Sequence, residues 1–577
     1  MKTLCCSLLF TVVLTSPYSY AEKASRYFSD EESVRYRQPE EVSNEQRDNR
    51  FDREPRLKIT HFDIGSLETS AAYNLDAGEL NDIIETARKN KKSLFTIADL
   101  DDLVADLTSY YRRKGLLLAR VYVPQQRIYK QTLVLGFAPG TLEAINIHGN
   151  EHYSNEVISR PFKTLITKPV QASTLEAASQ QLMHYPGYNA TTAFSAGEQP
   201  GSTQINISTQ KEESFIAQLG FDNYGSRYTG RYRPSLTGYI NNPTGNADQL
   251  VLGAAITLDP SNSAYGNILY RVPISAGLTD KSWLNFLSPI TRYGMIAELG
   301  YTQSSYSVGQ ELEQLDISGE AGTYFAGLSS NLIFSSRQHL TAGLRLNSKT
   351  ANTVQNGQTQ ASDKITSLVA QSRWQIRDEI ITGQPGRSQL LFEYHHGLNK
   401  VLGSMENGDA NSRVNAKGEY APASFSKYIL SLRRQQTINT NELLLALKYL
   451  NSPDMLTAIE QTALGGPYAV RGYQSGDFLA DSALLLSAEY SGYSSARLSL
   501  PIDQLKAGVF YDYGAGWRND ALANENDVAH LSAVGWFADF VKEKKFNTRL
   551  MMGIPLSDLK TSDNSSYQFY LSFQRKL

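Results

Sequence analysis

Hydrophobic and polar residues alternate along the chain in two different ways, and the change falls near residue 214. Beyond it, segments of about 8 to 14 residues alternate with a period of two and are separated by turns rich in Gly, Asn, Asp and Ser. In one segment Leu250, Leu252 and Ala254 share one phase, and Gln249 and Gly253 occupy the other. Because neighbouring side chains of a strand point to opposite faces, about 16 such segments predict an antiparallel sheet with one apolar and one polar face.

Residues before this point show helical periodicity between short strand-like runs. In the clearest helix, Leu100, Leu103 and Leu107 fall on one face. The predicted helices are 77–89, 97–114 and 173–184, and the strand-like runs are 57–64, 117–123, 131–137, 143–150 and 202–210. This order of strands and helices occurs twice, which predicts two consecutive small α+β modules over residues 55–140 and 141–211.

The N-terminus has the pattern of a secretory signal. Lys2 precedes an apolar run over residues 4–14 and small residues follow it, so residues 1–21 are predicted to be removed on export. The only two cysteines of the chain, Cys5 and Cys6, lie within this segment. The exported chain is therefore predicted to contain no disulfide and no thiolate metal site.

The next segment, residues 22–54, is charged and interrupted by Pro39, which indicates a periplasmic linker with room for one short helix. No run of 18 apolar residues follows, so no helix is predicted to span a bilayer. An exported chain without such a helix is either soluble or a membrane barrel. The formal net charge of −3 gives no reason to expect a nucleic-acid partner.

Composition and loop lengths favour a membrane β-barrel over a soluble β-sandwich, although the strands of both alternate. Tyrosine, with 34 residues, outnumbers phenylalanine at 22 and tryptophan at 4, which suits surfaces where rings meet both lipid and water. Long connections rich in Asn, Gly and Ser alternate with short ones, as in outer-membrane barrels. We therefore predict a transmembrane β-barrel of about 16 antiparallel strands over residues 212–577, preceded by the two α+β modules.

The most distinctive stretch lies on a long predicted connection, residues 452–481. Gly465, Gly466 and Gly472 disfavour a regular helix or central strand, so the stretch around Arg471 is predicted to be a shaped loop. Half of this connection, extended at about 3.3 Å per residue, reaches on the order of 50 Å. The loop is therefore long enough to fold back inside a barrel.

The phase of a later strand suggests a partner for Arg471. Between residues 505 and 514, alternation places Asp512 on the polar, lumen-facing side. An arginine and a carboxylate in a lumen can form two parallel charge-assisted hydrogen bonds, which predicts a pair. The other interpretation is a solvated Arg471 on a surface loop and an Asp512 that is simply a polar lumen residue. Glu489, inward-facing by the same alternation, is either a third member or ordinary lumen polarity.

Two histidine motifs are weaker candidates. His148 and His152 satisfy an H-x-x-E-H string, but zinc binding by that string needs a helix, and Gly149 indicates a turn. His395 and His396 are adjacent on a predicted strand and point to opposite faces. The sequence contains no nucleophile elbow, phosphate loop or C-x-x-C motif. We therefore predict no enzymatic activity, no metal and no cofactor.

Several stretches together carry a family resemblance. They are Leu100 to Gly115 with 119–125 and 133–135, Ile145 to Asn150, Asp222 to Gly225, 270–273, Gly465-Gly466 with Val470-Arg471-Gly472-Tyr473, and Phe510-Tyr511-Asp512. The chain resembles the outer-membrane transporters of two-partner secretion, the hemolysin and filamentous hemagglutinin secretion-activation family of the polypeptide-transport superfamily. The resemblance covers nearly the whole exported chain and implies that the two α+β modules are POTRA modules.

The resemblance also implies a site. It makes Arg471 and Asp512 a lock between the loop and the barrel wall, while Glu489 is a candidate lumen partner on strand alternation alone. The supporting motif consists of Gly465, Gly466, Val470, Gly472, Tyr473 and Phe510. Two features depart from the family: residues 22–54 show no clear plug helix, and the chain ends on Leu577 instead of phenylalanine.

The implied function is an outer-membrane pore that secretes a large unfolded exoprotein of the adhesin, hemolysin or contact-toxin kind, without nucleotide hydrolysis. The implied partners are the exoprotein, bound by the periplasmic POTRA modules, the outer-membrane lipid and the barrel-assembly machinery. One alternative is an insertase for other barrels, which shares the loop motif but typically has more modules. A diffusive porin is the other alternative, although porins do not need about 190 residues of periplasmic modules.

Overall fold

The computed structural model of this chain describes residues 56–577 except 66, 68–72, 74, 200, 275–292, 382, 495–501, 523–524, 543–544 and 560. The predicted signal, residues 1–21, and the predicted linker, residues 22–54, lie outside the described residues. The described chain forms two compact units, and the boundary between them falls between Glu212 and Glu213. No helix among the described residues is long and apolar enough to cross a membrane.

The first unit contains short strands and four α-helices. The helices are α1 Ala77–Asn90, α2 Ile97–Arg113, α3 Asn155–Ser159 and α4 Ala172–Met183, with a 3-10 helix at Arg160–Leu165. The strands are β1 Leu57–Lys58, β2 His61–Asp63, β3 Leu94–Phe95, β4 Arg120–Tyr122, β5 Thr132–Val134, β6 Gly136–Ala138, β7 Thr141–His148, β8 Tyr188–Ala196 and β9 Ser202–Glu212. The three long helices lie where helical periodicity predicts them.

Helix α2 forms because both its start and its buried face are specified locally. Thr96 and Asp99 make a reciprocal capping box, in which each side chain accepts a hydrogen bond from the other residue's backbone N–H. Leu103 and Leu107 are buried in the apolar core of the first half of the unit. A hydrogen bond from Lys91, together with the cap, lowers the pKa of Asp99 to about 2, so its carboxylate remains charged at neutral pH.

The second half of the unit is built on a three-stranded sheet in the order β7-β9-β8. Strand β9 is parallel to β7 and antiparallel to β8. Ile205 and Ile207 of β9 are fully buried, as is most of the apolar face of α4 around Leu182. No strand is predicted at β8, because the small and polar residues of Tyr188–Ala196 do not alternate clearly.

The second unit is a closed antiparallel barrel of sixteen strands, which confirms the predicted fold class. Its strands are β10 Phe215–Asp222, β11 Arg233–Asn241, β12 Gln249–Ile256, β13 Ser263–Ile274, β14 Met295–Ser307, β15 Ile317–Phe334, β16 Gln338–Gln355, β17 Gln358–Asp378, β18 Gly386–Leu398, β19 Ser426–Ile438, β20 Asn441–Asn451, β23 Ser482–Ser494, β24 Gln504–Trp517, β25 Val528–Lys542, β26 Phe546–Pro555 and β27 Gln568–Lys576. Strand β27 pairs with β10 and closes the barrel.

Side chains of the barrel alternate between an apolar outer face and a polar lumen. On β19, Leu430 and Leu432 are exposed on the outer face, whereas Lys427, Ser431 and Arg433 line an interior cavity of about 650 Å³. The two longest connections of the barrel, 399–425 and 452–481, leave the same end, which we call the outer end. Long loops at one end are typical of the extracellular side of outer-membrane barrels.

Candidate functional site

The connection 452–481, called the long loop below, folds back as a hairpin. Its two limbs pair through β21 Thr462–Ala463 and β22 Leu479–Ala480. Gly466 has a φ of +111°, and a side chain there would also strike Ser475, so the turn requires glycine. Gly472 has a different reason, because a Cβ would lie 2.8 Å from the backbone nitrogen of Pro555 on β26. These two glycines let the loop turn sharply and lie directly against the wall.

Apolar side chains seat the tip of the long loop against β25. Val470 and Tyr473 are fully buried in a cluster that includes Leu531 and Ala533. The Tyr473 hydroxyl accepts a hydrogen bond from the backbone N–H of Ser557 at 3.2 Å. Between these two buried residues, Arg471 therefore has little freedom to move.

Arg471 and Asp512 form a bidentate ion pair. The Arg471 Nε donates to Asp512 Oδ2 and Nη2 donates to Oδ1, both at 2.7 Å. The backbone N–H of Arg471 also donates to Oδ2 at 3.1 Å, and the hydroxyl of Ser487 donates to Oδ1 at 2.7 Å. Arg471 is 4% exposed and Asp512 is 0% exposed. Four donors thus satisfy a carboxylate that has no access to water.

Glu489 and Phe510 also contact the Arg471 guanidinium, and Arg549 contacts Glu489. The Nη1 of Arg471 donates to Glu489, and the Cζ of Arg471 lies 3.5 Å from the centre of the Phe510 ring. Arg549 on β26 donates to both carboxylate oxygens of Glu489, at 3.0 and 3.1 Å. Asp512, Arg471, Glu489 and Arg549 form a continuous chain of alternating charge, which we call the lumen network. Its two cations and two carboxylates compensate each other, as burial requires.

Comparison with known proteins identifies the family of this chain. Residues 201–537 match the family described as haemolysin secretion/activation protein ShlB/FhaC/HecB, and residues 62–140 match the ShlB-type POTRA domain. The first match covers more than half of the chain. The chain belongs to the haemolysin secretion/activation family. The predicted resemblance is therefore confirmed.

Individual relatives agree with this assignment. The chain is 25% identical over 491 residues to the heme/hemopexin transporter protein HuxB of Haemophilus influenzae, covering 83% of this chain and 80% of HuxB. It is 22% identical over 505 residues to the outer membrane transporter CdiB of Escherichia coli, covering 83% of this chain and 75% of CdiB. A solved structure of CdiB from Escherichia coli matches with a TM-score of 0.72 at 17% identity over 98% of this chain and 99% of that one.

These matches confirm the predicted class of function and its location. The haemolysin secretion/activation family consists of transporters, and this member is an outer-membrane secretion pore of the two-partner type. In this family the POTRA modules lie in the periplasm. Because the longer loops of outer-membrane barrels are extracellular, the outer end with the long loops faces the cell exterior.

Most of the residues that the sequence predicts for the site lie together in the structure. Arg471 contacts Asp512, Glu489 and Phe510, while Gly466 and Gly472 shape the loop that carries it. The remaining motif residues, Gly465, Val470 and Tyr473, form the turn and its apolar seat. The function of Arg471 and Asp512 as a lock stays a prediction.

Arg549 is the member of the lumen network that the sequence analysis misses. Alternation along β26 places it on the lumenal face, between the outward-facing Thr548 and Leu550, so its direction could have been predicted. Its partner could not, because Glu489 lies 60 residues away on a strand that is not adjacent to β26.

The histidine motifs do not form metal sites among the described residues. His148 ends β7, and the backbone N–H of Glu151, in the turn after it, donates to Glu212 at 2.9 Å. His395 faces the lumen and lies 3.1 Å from Glu393, while His396 lies on the opposite face of the strand. No group of three His, Cys, Asp or Glu side chains in the described part of the chain has the geometry to hold a metal ion.

Proposed function

We propose that this chain recognises a large unfolded exoprotein through its POTRA modules and passes it through the barrel, with the long loop holding the pore closed at rest. The observation that carries the proposal is the bidentate pair between Arg471 and Asp512, which ties a lumenal loop to the wall of a secretion pore. In this position the loop occupies part of the lumen that the exoprotein would cross. Secretion therefore requires the loop to move.

The energy for transport comes from outside the pore. The sequence contains no phosphate-binding loop, so no nucleotide hydrolysis drives the steps. An unfolded chain that folds after it leaves the outer end cannot slide back, so its folding gives transport a direction. The pore itself needs only to open, and the adhesin, hemolysin and contact-toxin classes of exoprotein are the cargo we expect.

The edge of β8 is the best-placed surface for recognition of the exoprotein. No described strand pairs with β8 on the side away from β9. Gly197 donates its N–H to Ser202 across the sheet, so alternation directs the N–H groups of Thr192 and Phe194 away from β9. An extended segment of the exoprotein would add to this edge as a further strand.

The outer face of the barrel suits the other two expected partners. Large apolar residues such as Leu344 at 56% exposed and Val509 at 60% exposed would contact the hydrocarbon of the outer membrane. The last strand, β27, closes the barrel and is the part that the barrel-assembly machinery would recognise during insertion.

A secretion experiment tests the proposed function. In a strain that lacks this chain, a large protein should disappear from the cell surface and the medium, and wild-type protein should restore it. Thr192→Pro should fail to restore it, because proline removes the outward N–H donor at the β8 edge. Thr192→Val keeps the donor and should restore secretion.

Barrel insertion separates a recognition defect from a failure to fold. The Thr192→Pro chain should reach the outer membrane at the wild-type level, since the substitution lies outside the barrel. An unchanged set of secreted proteins in the deletion strain would contradict the proposed function. Normal secretion by Thr192→Pro would contradict recognition at the β8 edge alone.

A further inference from the structure

The long loop contacts the barrel wall at a second place, through Glu460 in its first half. The Glu460 side chain is 0% exposed, and its Oε1 accepts a hydrogen bond from Lys349 Nζ at 2.7 Å. Its Oε2 accepts a hydrogen bond from Lys427 Nζ, which also donates to the Glu460 carbonyl at 3.0 Å. We call Lys349, Glu460 and Lys427 the lysine clamp.

The lysine clamp and the lumen network occupy different parts of the wall. In barrel order, β16 with Lys349 lies six strands from β24 with Asp512, which is about 29 Å along the wall at about 4.8 Å per strand. Asp512 on β24 is paired through β23 and β20 with Arg433 on β19. Arg433 lies six residues beyond Lys427 on the same strand. Six residues correspond to about 20 Å along the strand. The long loop is thus held on two sides of the lumen and at two levels.

The positive charges around the lysine clamp favour binding of the loop carboxylate at this part of the wall. Lys349 and Lys427 approach the same carboxylate, and Arg345 and Lys448 line the same cavity. Lys427 is only 4% exposed, and Glu393 also lines this cavity, but the direct carboxylate partner of Lys427 is Glu460, whose loss would leave a buried cation without that partner. The wall on this side therefore favours a state in which the loop supplies its carboxylate.

We propose that the lysine clamp is a second fastening point, which holds the first half of the long loop across the lumen independently of Arg471. The proposal rests on the proposed function, because it assigns the clamp a role in the closed state of the same pore. Release of Arg471 alone frees the tip of the loop but leaves Glu460 in place. Full opening requires both contacts to break.

Channel recordings test this proposal on the purified full-length protein in planar lipid bilayers. Glu460→Gln keeps the size of the side chain and removes its charge, so the fraction of time in the open state should rise about tenfold, which corresponds to about 1.4 kcal/mol. Arg471→Ala should also raise it. The double variant should open more often than either single variant, because the two contacts act separately.

Glu442→Gln is the matched control. Glu442 is 8% exposed and pairs with Lys506 at 2.5 Å, but both residues belong to barrel strands, β20 and β24. This substitution removes a buried lumenal carboxylate without touching the long loop. Its open fraction should equal that of the wild type.

A cross-link between the long loop and the barrel wall distinguishes release of the loop from damage to the barrel. Residues 7–577 contain no cysteine, so Lys427→Cys combined with Glu460→Cys introduces the only two thiols of that region. This variant should open frequently when reduced and close again when a bifunctional thiol reagent joins the two positions. A barrel that had misfolded would not close on bridging.

The outcomes distinguish this proposal from the proposed function. If Arg471→Ala raises the open fraction but Glu460→Gln leaves it at the wild-type value, the lysine clamp is not a fastening point and the proposed function stands. Equal opening by Glu460→Gln and Glu442→Gln would also overturn the proposal, since loss of lumenal charge would then be the cause. If neither Arg471→Ala nor Glu460→Gln changes the open fraction, the closing role of the long loop fails as well.

Discussion

The periplasmic unit is built on a buried apolar core, whereas the barrel also buries charged side chains in its lumen and exposes apolar ones outside. Leu107 and Tyr111 of the first unit are 0% exposed, and they form an ordinary apolar core. In the barrel, Asp512 and Arg471 are buried at 0% and 4%, while Leu430 is 38% exposed on the outer face. The arrangement of charged and apolar side chains in the barrel therefore differs from that in the first unit.

The difference follows from what surrounds each unit. Water surrounds the POTRA modules, so burial of apolar surface stabilises them by about 25 cal/mol per Å². The outer face of the barrel meets lipid, which removes this driving force, and closure of the barrel satisfies its backbone hydrogen bonds. Inside the barrel the long loop is held by paired charges together with the apolar cluster around Val470 and Tyr473. The loss of stability caused by a substitution thus depends on whether the side chain faces water or lipid.

The largest effect should come from breaking the pair in the lumen. Arg471→Ala leaves the buried Asp512 carboxylate without its cation, and Asp512→Ala removes the bidentate partner of Arg471, which keeps only Glu489 as a carboxylate partner. Each substitution should cost about 3 to 5 kcal/mol in the unfolding free energy of the barrel. Arg471→Lys should not restore function, because an ammonium group cannot reproduce the bidentate fork. Urea unfolding in detergent and exoprotein secretion measure the two consequences.

The double variant tests whether Arg471 and Asp512 act as one unit. Its loss of unfolding free energy and its change in secretion should each be about as large as in either single variant, because each substitution already breaks the same contact. Fully additive losses would mean that the two residues act separately. As a control, Lys400→Ala breaks an ion pair with Glu406 whose side chains are 60% and 50% exposed, and it should change little.

The next largest loss of stability should depend on whether a substitution lies on the lipid-facing or the lumenal face of a strand. Leu430→Arg places a charge on the lipid-facing side of β19 and should cost about 2 to 4 kcal/mol near the bilayer midplane. Ser431→Arg, one residue later, points into the lumenal cavity and should cost much less. Unfolding in lipid vesicles, followed by tryptophan fluorescence, gives both values. Equal costs would contradict the assignment of faces.

Local patterns predicted much of this architecture. Alternation predicted the sixteen strands, and helical periodicity predicted α2 at 97–114 against the observed Ile97–Arg113. Loop length, strand phase and family resemblance together predicted contact between Arg471 and Asp512. The strands and helices depend on residues close in sequence, whereas the contact between Arg471 and Asp512, 41 residues apart, also needed the family resemblance.

Contacts across the lumen could not be predicted in this way. Glu460 meets Lys349 although 111 residues separate them, and no periodicity relates a residue in a loop to a strand on a distant wall. Alternation can place Lys427 and Arg549 inside the barrel, but it cannot select their partners among many inward-facing charges. Those choices depend on the path of the long loop, which only the folded barrel defines.

The smallest effect should appear in the POTRA unit, at the start of α2. Asp99 accepts hydrogen bonds from the backbone of Thr96 at 2.8 Å and from Lys91, which lowers its pKa to about 2. Asp99→Asn should therefore destabilise the first turn by about 1 kcal/mol at neutral pH. Because the folded pKa lies below the ordinary value of about 4, this stabilisation is present above pH 4 and is lost between about pH 4 and pH 2.

Hydrogen exchange of the α2 amides in the full-length protein measures this loss. The protection of the wild type should exceed that of Asp99→Asn at pH 6, and the gap should narrow as the pH falls below about 4. Asp106→Asn, an exposed position in the same helix, should show no such pH-dependent gap. A gap that persists at pH 2 would mean that the shape of the Asp99 side chain, and not its charge, holds the helix start. The charge of Asp99 in the POTRA unit would then contribute even less to stability, compared with the buried ion pairs of the lumen.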